Sequence, residues 1–370
     1  IKQSNSMMII FKNPVRINDQ WMREILFIEE ENPKKEQWTG TMLSFSEAKE
    51  LSEAALVLSN TEFKTMTFPW QEFNTIYTNE HQHIERDDKE HPGDLSSLVA
   101  HFDRKLERVQ KQASPKKGED LFGYLRQKKT DAEIDMIQRA VDITCLAHTN
   151  AMKTITPSMT EYQVEALIQY TFRANGAEGE AFPSIVASGD NGAIMHYTAN
   201  ESLLIPGDLV IMDIGAQYQG YAADVTRTVP VSGKFSEEQA KIYQLVLDAQ
   251  KVAIQYATPG YKFWTPHEEA FRTIGKGLIS LGIIKEWSEI GDYFIHGTSH
   301  YLGLDVHDAG VYSSLAPGDV ITVEPGIYIP EENMGIRLED DVVIQENGDT
   351  LNLMKNIPIT VEEIEDLMNK

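Results

Sequence analysis

The sequence predicts an α+β protein, with a smaller α/β N-terminal domain ahead of a larger C-terminal domain whose two halves repeat. Three observations carry that prediction. Pro206-Gly207-Asp208-Leu209-Val210-Ile211-Met212-Asp213 resembles Pro317-Gly318-Asp319-Val320-Ile321-Thr322-Val323-Glu324. Helix-start signatures alternate with short apolar runs of strand length. Gln112 to Asp120, with Ser, Pro, Lys, Lys and Gly in a row, reads as a linker between a less regular first third and the rest. At ~100–200 residues per domain, 370 residues predict two domains. The boundary is set at the linker, giving 1–118 and 119–370.

In the first domain Met7 to Phe11 and Glu24 to Ile28 read as strands, and Phe45 to Leu58 as a helical stretch. Asn79 to Asp94 is nearly all polar or charged, predicting an exposed loop with His81 and His83 solvated. Beyond the linker, Thr130 and Glu133 form a capping box ahead of Ile134, Ile137, Val141 and Cys145, an apolar stripe at helical spacing. Thr160 with Gln163 opens another helix, and Ser236 with Gln239 a third. Thr265, Pro266 and Glu268 open a fourth, with proline at its favoured first position. Leu209 to Met212 and Val320 to Val323 are strand-like. His148 falls inside a capped helix and reads as structural.

The composition excludes several classes. A hydrophobic fraction of 41% and an aromatic fraction of 9% support a packed core, not a disordered chain. With 57 acidic and 33 basic side chains the net charge is −24. That argues against nucleic-acid binding, which needs concentrated Lys and Arg, and against docking on an anionic membrane. Cys145 is the single cysteine and cannot form an internal disulfide, so no oxidising compartment is indicated. No apolar run approaches the ~20 residues that cross a bilayer, and the start lacks a signal-peptide pattern. The expectation is a cytoplasmic protein, and Ile1 in place of Met predicts that its true start is missing.

The repeat carries the chemistry. In each half a Pro-Gly-Asp turn launches a buried strand ending on a carboxylate, Asp213 or Glu324. Ten residues before each turn stands a histidine, His196 or His307. Thr258-Pro259-Gly260 weakly matches Thr156-Pro157-Ser158. Two copies are too few for a solenoid and suit a pseudo-twofold domain with one central site. A second strand follows in each half, Gly220 to Thr226 and Gly335 to Asp341. Asp213 is therefore expected to face Asp224 across a hairpin, and Glu324 to face Glu339. Of the adjacent Asp340 and Asp341, at most one is expected to face the site.

An isolated acid at a strand end reads as a turn cap, and that reading is kept for Asp208 and Asp319. It does not explain acids recurring in register. Four carboxylates buried together need cations, because unpaired buried charge costs many kcal/mol. Two divalent metals resolve this, and carboxylate-plus-imidazole donors suit Mn, Fe, Co or Zn better than Ca. The run from His296 to Asp308 supplies three imidazoles, His296, His300 and His307, with Gly297 and Gly303 placed to turn the backbone tightly. One histidine would complete a ligand shell, leaving the others to hydrogen-bond a substrate carbonyl or oxyanion.

From about Leu125 to the C-terminus the chain resembles the metallopeptidases of the pita-bread fold, specifically the aminopeptidase P (Xaa-Pro aminopeptidase) family. The motifs are Met212-Asp213-Ile214-Gly215-Ala216, Ala223-Asp224-Val225-Thr226-Arg227-Thr228, the His296 to Asp308 run, Val323-Glu324-Pro325-Gly326 and Ile336-Arg337-Leu338-Glu339-Asp340-Asp341. Asn32-Pro33 and Trp38-Thr39-Gly40 liken the first third to that family's smaller N-terminal domain. The resemblance implies five ligands for two divalent ions, usually Mn: Asp213, Asp224, His300, Glu324 and Glu339. Asp224 and Glu339 would bridge both ions, His300 and Glu324 would sit on one, and Asp213 on the other. It also implies that His196, His296 and His307 contact substrate, with Arg337 beside them. Glu324, His196 and His307 would be catalytic, the glutamate moving a proton and a histidine stabilising the tetrahedral intermediate.

The implied activity is removal of the N-terminal residue from peptides with proline second, by attack of a metal-bridged hydroxide on the Xaa-Pro carbonyl. Such peptides are the expected partners, together with further copies of the chain in a dimer or tetramer. Xaa-Pro dipeptidase (prolidase) is the alternative, against which Gly297-Thr298-Ser299-His300-Tyr301 looks more like the aminopeptidase. Methionine aminopeptidase does not fit the N-terminal domain or the spacing around His300. A metal-free peptide-binding module of the same fold would have lost a ligand acid, and none is lost.

Overall fold

The computed structural model describes residues 4–17, 19–78, 93–354 and 357–370, so most of the expected polar loop, with His81 and His83, lies outside the described residues. The chain divides into two compact units, 1–119 and 120–370.

In the first unit β1 (Met7–Ile17) and β2 (Gln20–Ile28) form an antiparallel hairpin. Two helices follow, α1 (Pro33–Thr39) and α2 (Phe45–Ser52), and β3 (Leu56–Ser59) then pairs parallel to β2. The helical stretch expected over Phe45 to Leu58 is thus cut short. A Ser44–Glu47 capping box starts α2, and Glu53 ends it in the left-handed region at φ 55°. The apolar run after it satisfies its backbone on β2 instead. The next helices are α3 (Leu95–Arg108) and α4 (Pro115–Gln127). The expected linker is therefore corrected as well: Ser114 bridges to Tyr77, and Pro115 opens α4, which runs through the division. Proline is tolerated in a first helical turn because its missing N–H would have had no partner there.

The second unit opens with α5 (Asp131–Thr154) and α6 (Glu161–Ala174), started by the Thr130–Glu133 and Thr160–Gln163 capping boxes. His148, buried in α5, bonds the Val225 carbonyl through Nε2 at 3.0 Å, a structural role. Then come β4 (Gly179–Glu180), β5 (Ile185–Ser188), β6 (Leu209–Ile214), β7 (Ala216–Tyr218), β8 (Tyr221–Ala222) and β9 (Val225–Pro230). Ser236 and Gln239 cap α7 (Glu237–Tyr256). The cap of α8 (Thr265–Leu281) is Trp264, so Thr265 lies one step inside the helix and makes no capping bond. The remaining elements are β10 (Val320–Val323), β11 (Gly326–Ile329), β12 (Met334–Arg337), β13 (Asp340–Ile344), β14 (Thr350–Asn352) and α9 (Val361–Met368).

The repeat is visible in the sheets. One has the order β5-β6-β9 and the other β10-β13-β14, with Tyr301 bridging to Ile321 on the free side of β10. Both launching turns place glycine at positive φ, 99° at Gly207 and 92° at Gly318, where any other L-residue would be strained. β6 and β10 are buried on both faces, which is why they read as continuous apolar runs. Helices α5 and α6 pack together behind the first sheet, and α7 packs on α8 and on β10 to β12. Val210, Met212, Ile321, Val323, Ile168 and Leu247 share one core. The sheets are stitched between β9 and the end of β12. Thr228 Oγ1 donates to the Arg337 carbonyl and accepts from Arg337 N, and Glu339 N donates to the Thr226 carbonyl.

Candidate metal centre and active site

Strand ends deliver the acids. β6 pairs Asp213 with Thr226 and Ile214 with Val225, so Asp224 stands at the level of Gly215 and not directly across from Asp213. Gly215 is required for space, since a Cβ there would lie 1.8 Å from the Ala223 carbonyl oxygen. The two carboxylates still come within hydrogen-bonding reach of each other. In the second half Val323 pairs with Asp340, which sets Glu324 opposite Glu339 at the next step, as expected.

The loop from His296 to Asp308 runs beside β10. Thr322 N donates to the His300 carbonyl at 3.0 Å and Glu324 N to the Thr298 carbonyl at 2.9 Å. The backbone bends over 303–307, as expected, with neither Gly297 nor Gly303 at positive φ. Gly303 is needed for another reason: a Cβ would sit 2.1 Å from Asp308 Oδ2. His300 Nδ1 lies 3.1 Å from the Tyr301 carbonyl, which turns Nε2 inward. Nε2 lies 3.3 Å from Asp224 Oδ2 and 3.7 Å from Glu324 Oε1.

Other groups orient the acids. Thr226 Oγ1 donates to Glu339 Oε2 at 2.7 Å, Asp224 N to Asp341 Oδ2 at 3.0 Å, and Arg337 Nη2 to Asp213 Oδ2 at 2.7 Å. Asp340 turns away and pairs with buried Arg227 at 2.8 Å. Asp213 Oδ1 and Asp224 Oδ1 are buried without a protein partner. Ligand atoms of Asp224, His300 and Glu339 lie within 4.8 Å of one another. Burial, then the nearby Asp213, Asp341 and Glu324, drives Asp224 well above the usual carboxylate range. Burial and then Asp224 do the same to Glu339. Burial lifts Glu324 to about 7 against the pull of His300. These acids cannot all ionise without added positive charge, so the donor set fits divalent cations.

The remaining histidines ring this cluster. The His307 ring lies 4.3 Å from that of His300, and its pKa is lowered by burial, then by His300 and His196. His296 is pushed down to about 4 by burial, then by Arg337. Tyr328 links them: its hydroxyl accepts from Arg337 Nη1 at 2.8 Å and lies 2.9 Å from His296 Nε2. Burial raises the phenol to about 12, so it keeps its proton and donates to Nε2. His296 Nδ1–H then donates to the Gly297 carbonyl at 2.7 Å. His196 is exposed, yet close enough to depress both His296 and His307. Sequence reading missed Thr226 and Tyr328. The signal for Thr226 was its place two residues beyond Asp224; Tyr328 offered none, since only folding brings it to Arg337.

A profile of metallopeptidase family M24 matches residues 135–346, and one described as the aminopeptidase P N-terminal domain matches 1–76. The chain belongs to metallopeptidase family M24. Within it, the Xaa-Pro aminopeptidase of Escherichia coli is 44% identical over 260 residues, which is 65% of this chain and 59% of that protein. The Xaa-Pro dipeptidase of Pyrococcus furiosus is 42% identical over 240 residues, 63% of this chain and 65% of that protein. The chain therefore spans less than two thirds of the length of these relatives. The solved proline aminopeptidase P II from Yersinia pestis matches with a TM-score of 0.86 at 31% identity, over 100% of this chain and 88% of that one. The α+β, pita-bread architecture implied by the resemblance is the fold of this chain.

Proposed function

We propose that this chain is a dinuclear metallopeptidase that removes the first residue from peptides with proline second. The observation that carries the reading is the convergence of Asp213, Asp224, Glu324 and Glu339 beside His300, with two carboxylate oxygens lacking protein partners. Asp224 and Glu339 would bridge two ions, with His300 and Glu324 on one and Asp213 on the other; Mn is the first choice, with Zn, Co or Fe as alternatives. Two such ions would supply a water of near-neutral pKa and polarise the scissile carbonyl.

The chain's own groups do the rest. Glu324 would take up the proton released by the attacking water and pass it to the prolyl nitrogen. His307, its pKa lowered by burial, can donate an N–H to the carbonyl oxygen as charge develops there, with His196 nearby. His296, fixed by Tyr328, and Arg337 would border the proline ring. A carboxylate-rich site attracts the free α-ammonium of a peptide, and a tertiary prolyl amide brings no N–H in need of an acceptor. The reading extends to a cytoplasmic homo-oligomer, dimer or tetramer, and to a domain boundary at 118/119.

The test supplies Ala-Pro, Ala-Pro-Ala-Lys, acetyl-Ala-Pro-Ala-Lys and Ala-Ala-Ala-Lys with Mn and follows released alanine. Alanine should come from the first two alone. Release from Ala-Pro only would make the chain a prolidase, the reading that its likeness to the Pyrococcus dipeptidase favours. Comparable release from Ala-Ala-Ala-Lys would discard the proline requirement.

A further inference from the structure

We infer that Glu161 is a positioning residue for His196: a buried carboxylate that fixes the 188–202 loop and, through it, the imidazole at the site. The inference rests on the role proposed above for His196. Glu161 is the first residue of α6, and none of it reaches solvent. A carboxylate at a helix N-terminus is usually an exposed partner of the helix dipole. This one instead accepts five hydrogen bonds from the end of β5 and the loop that follows it. Its Oε1 accepts from Ser188 N at 2.7 Å, Ser188 Oγ at 2.7 Å and Asn191 Nδ2 at 3.0 Å. Its Oε2 accepts from the Tyr197 hydroxyl at 2.8 Å and Ser202 N at 2.9 Å.

These donors flank His196 on both sides in sequence, and Tyr197 is its immediate neighbour. Among the described residues, no hydrogen bond or ion pair holds the His196 ring itself, so its place is set by the loop backbone. The rest of the loop is tied to the same point. Asn191 Nδ2 also reaches Ser202 Oγ at 2.8 Å, and Glu161 N donates to the Ser202 carbonyl at 2.9 Å. Near the loop's start, Gly192 packs on Gly335 of β12, the strand that ends in Arg337. Glu161 thus ties a histidine-bearing loop to a rigid helix end on one side, while the loop touches a site-bearing strand on the other.

The residue type follows from the donor count. An ionised carboxylate is acceptor-only on both oxygens and can serve five donors. A glutamine of the same shape must turn an NH₂ toward one of the two donor groups, so Glu161→Gln opposes donor with donor whichever way it sits. Bonds to an ionised acceptor are about twice as strong as neutral ones. Displacing a reacting group by ~1 Å can cost ~10²-fold in rate.

The experiment is a mutant cycle on the full Mn-loaded chain with Ala-Pro-Ala-Lys. Glu161→Gln should lower kcat by ~10–10²-fold with bound Mn unchanged. Added to His196→Ala it should cost less than about twofold more, whereas added to His307→Ala it should cost its full factor. Equal cost in both backgrounds would make Glu161 a general stability residue and overturn the inference. If Glu161→Gln does not fold, Tyr197→Phe combined with Ser188→Ala removes two of the donors and is held to the same non-additivity. Amide hydrogen exchange provides a readout independent of turnover. Faster exchange confined to 186–204 in the variant supports the inference, and unchanged exchange there overturns it. Should the wild type release alanine from no peptide, the functional reading fails while hydrogen exchange still decides the role of Glu161.

Discussion

The two halves of the second unit begin alike and end differently. Each starts from a Pro-Gly-Asp turn with its glycine at positive φ, and each sends an apolar strand to a carboxylate. The histidine loops that precede those turns are anchored by opposite chemistry. The His196 loop hangs on one buried carboxylate served by neutral donors, Glu161. The His307 loop hangs on a buried ion pair: Lys129 Nζ lies 3.0 Å from Asp308 Oδ2, and Arg126 joins the same carboxylate and Asp305. Registers differ too, since Glu324 sits opposite Glu339 while Asp213 sits opposite Thr226. A repeated backbone path therefore does not impose a repeated support. The difference lets the halves bring unequal side chains to one acid cluster.

Four measurements break or sharpen this comparison. Glu339 lies on the seam, held by Thr226 of the other half, so Glu339→Ala should abolish turnover, by more than ~10³-fold or ~4 kcal/mol. Elemental analysis should find less than the two Mn expected per chain; a variant keeping a tenth of the wild-type rate would remove Glu339 from its bridging role. Lys129→Met probes the second loop's anchor. It leaves Asp308 buried with one cation fewer, and denaturant titration should show a loss of ~3 kcal/mol. A loss below about 0.5 kcal/mol, the range of an exposed pair, would mean that Arg126 alone suffices.

Metal removal tests whether the halves repel each other. Glu324 titrates near 4.5 when unfolded and at about 7 when folded, so the folded chain binds more protons in between. Its stabilising contribution is complete below about pH 4.5 and is lost as pH rises through about 7, a change on the order of 3 kcal/mol. Asp224 and Glu339 shift in the same direction. Chelator-treated protein should melt at a lower temperature at pH 8 than at pH 5.5, and Mn added at pH 8 should restore it. Melting that is independent of pH without metal would contradict the crowding of the acids. Smallest is the contrast between histidines. His196→Ala and His307→Ala should each reduce kcat about 10²-fold, ~2.7 kcal/mol, with bound Mn intact. Loss of metal from either variant would make that residue a ligand instead.

The acids and the histidine run were legible because the repeat placed them in register and strand alternation directed them to one end. Elements whose local signals competed were misread. Ser114-Pro115-Lys116-Lys117-Gly118 has linker composition, yet proline at a helix start is as natural there as in a loop. Leu56 to Ser59 continues an apolar helical pattern, and its pairing with β2 overrides that pattern. Tyr328, Glu161 and Lys129 carry no local signal, because His296, Tyr197 and Asp308, on which they act, are far away in the chain.

By itself the sequence determined the duplicated unit, the capped helices and the acid-and-imidazole inventory, since periodicity, capping and turn chemistry act over a few residues. Only the tertiary structure decided which oxygen faces which neighbour: the Glu339 contact across the seam, the contact of His300 Nδ1 with the Tyr301 carbonyl, and the separate anchors of the two histidine loops. Those outcomes depend on which buried polar groups find partners once water is excluded, and that is settled by the packed chain as a whole.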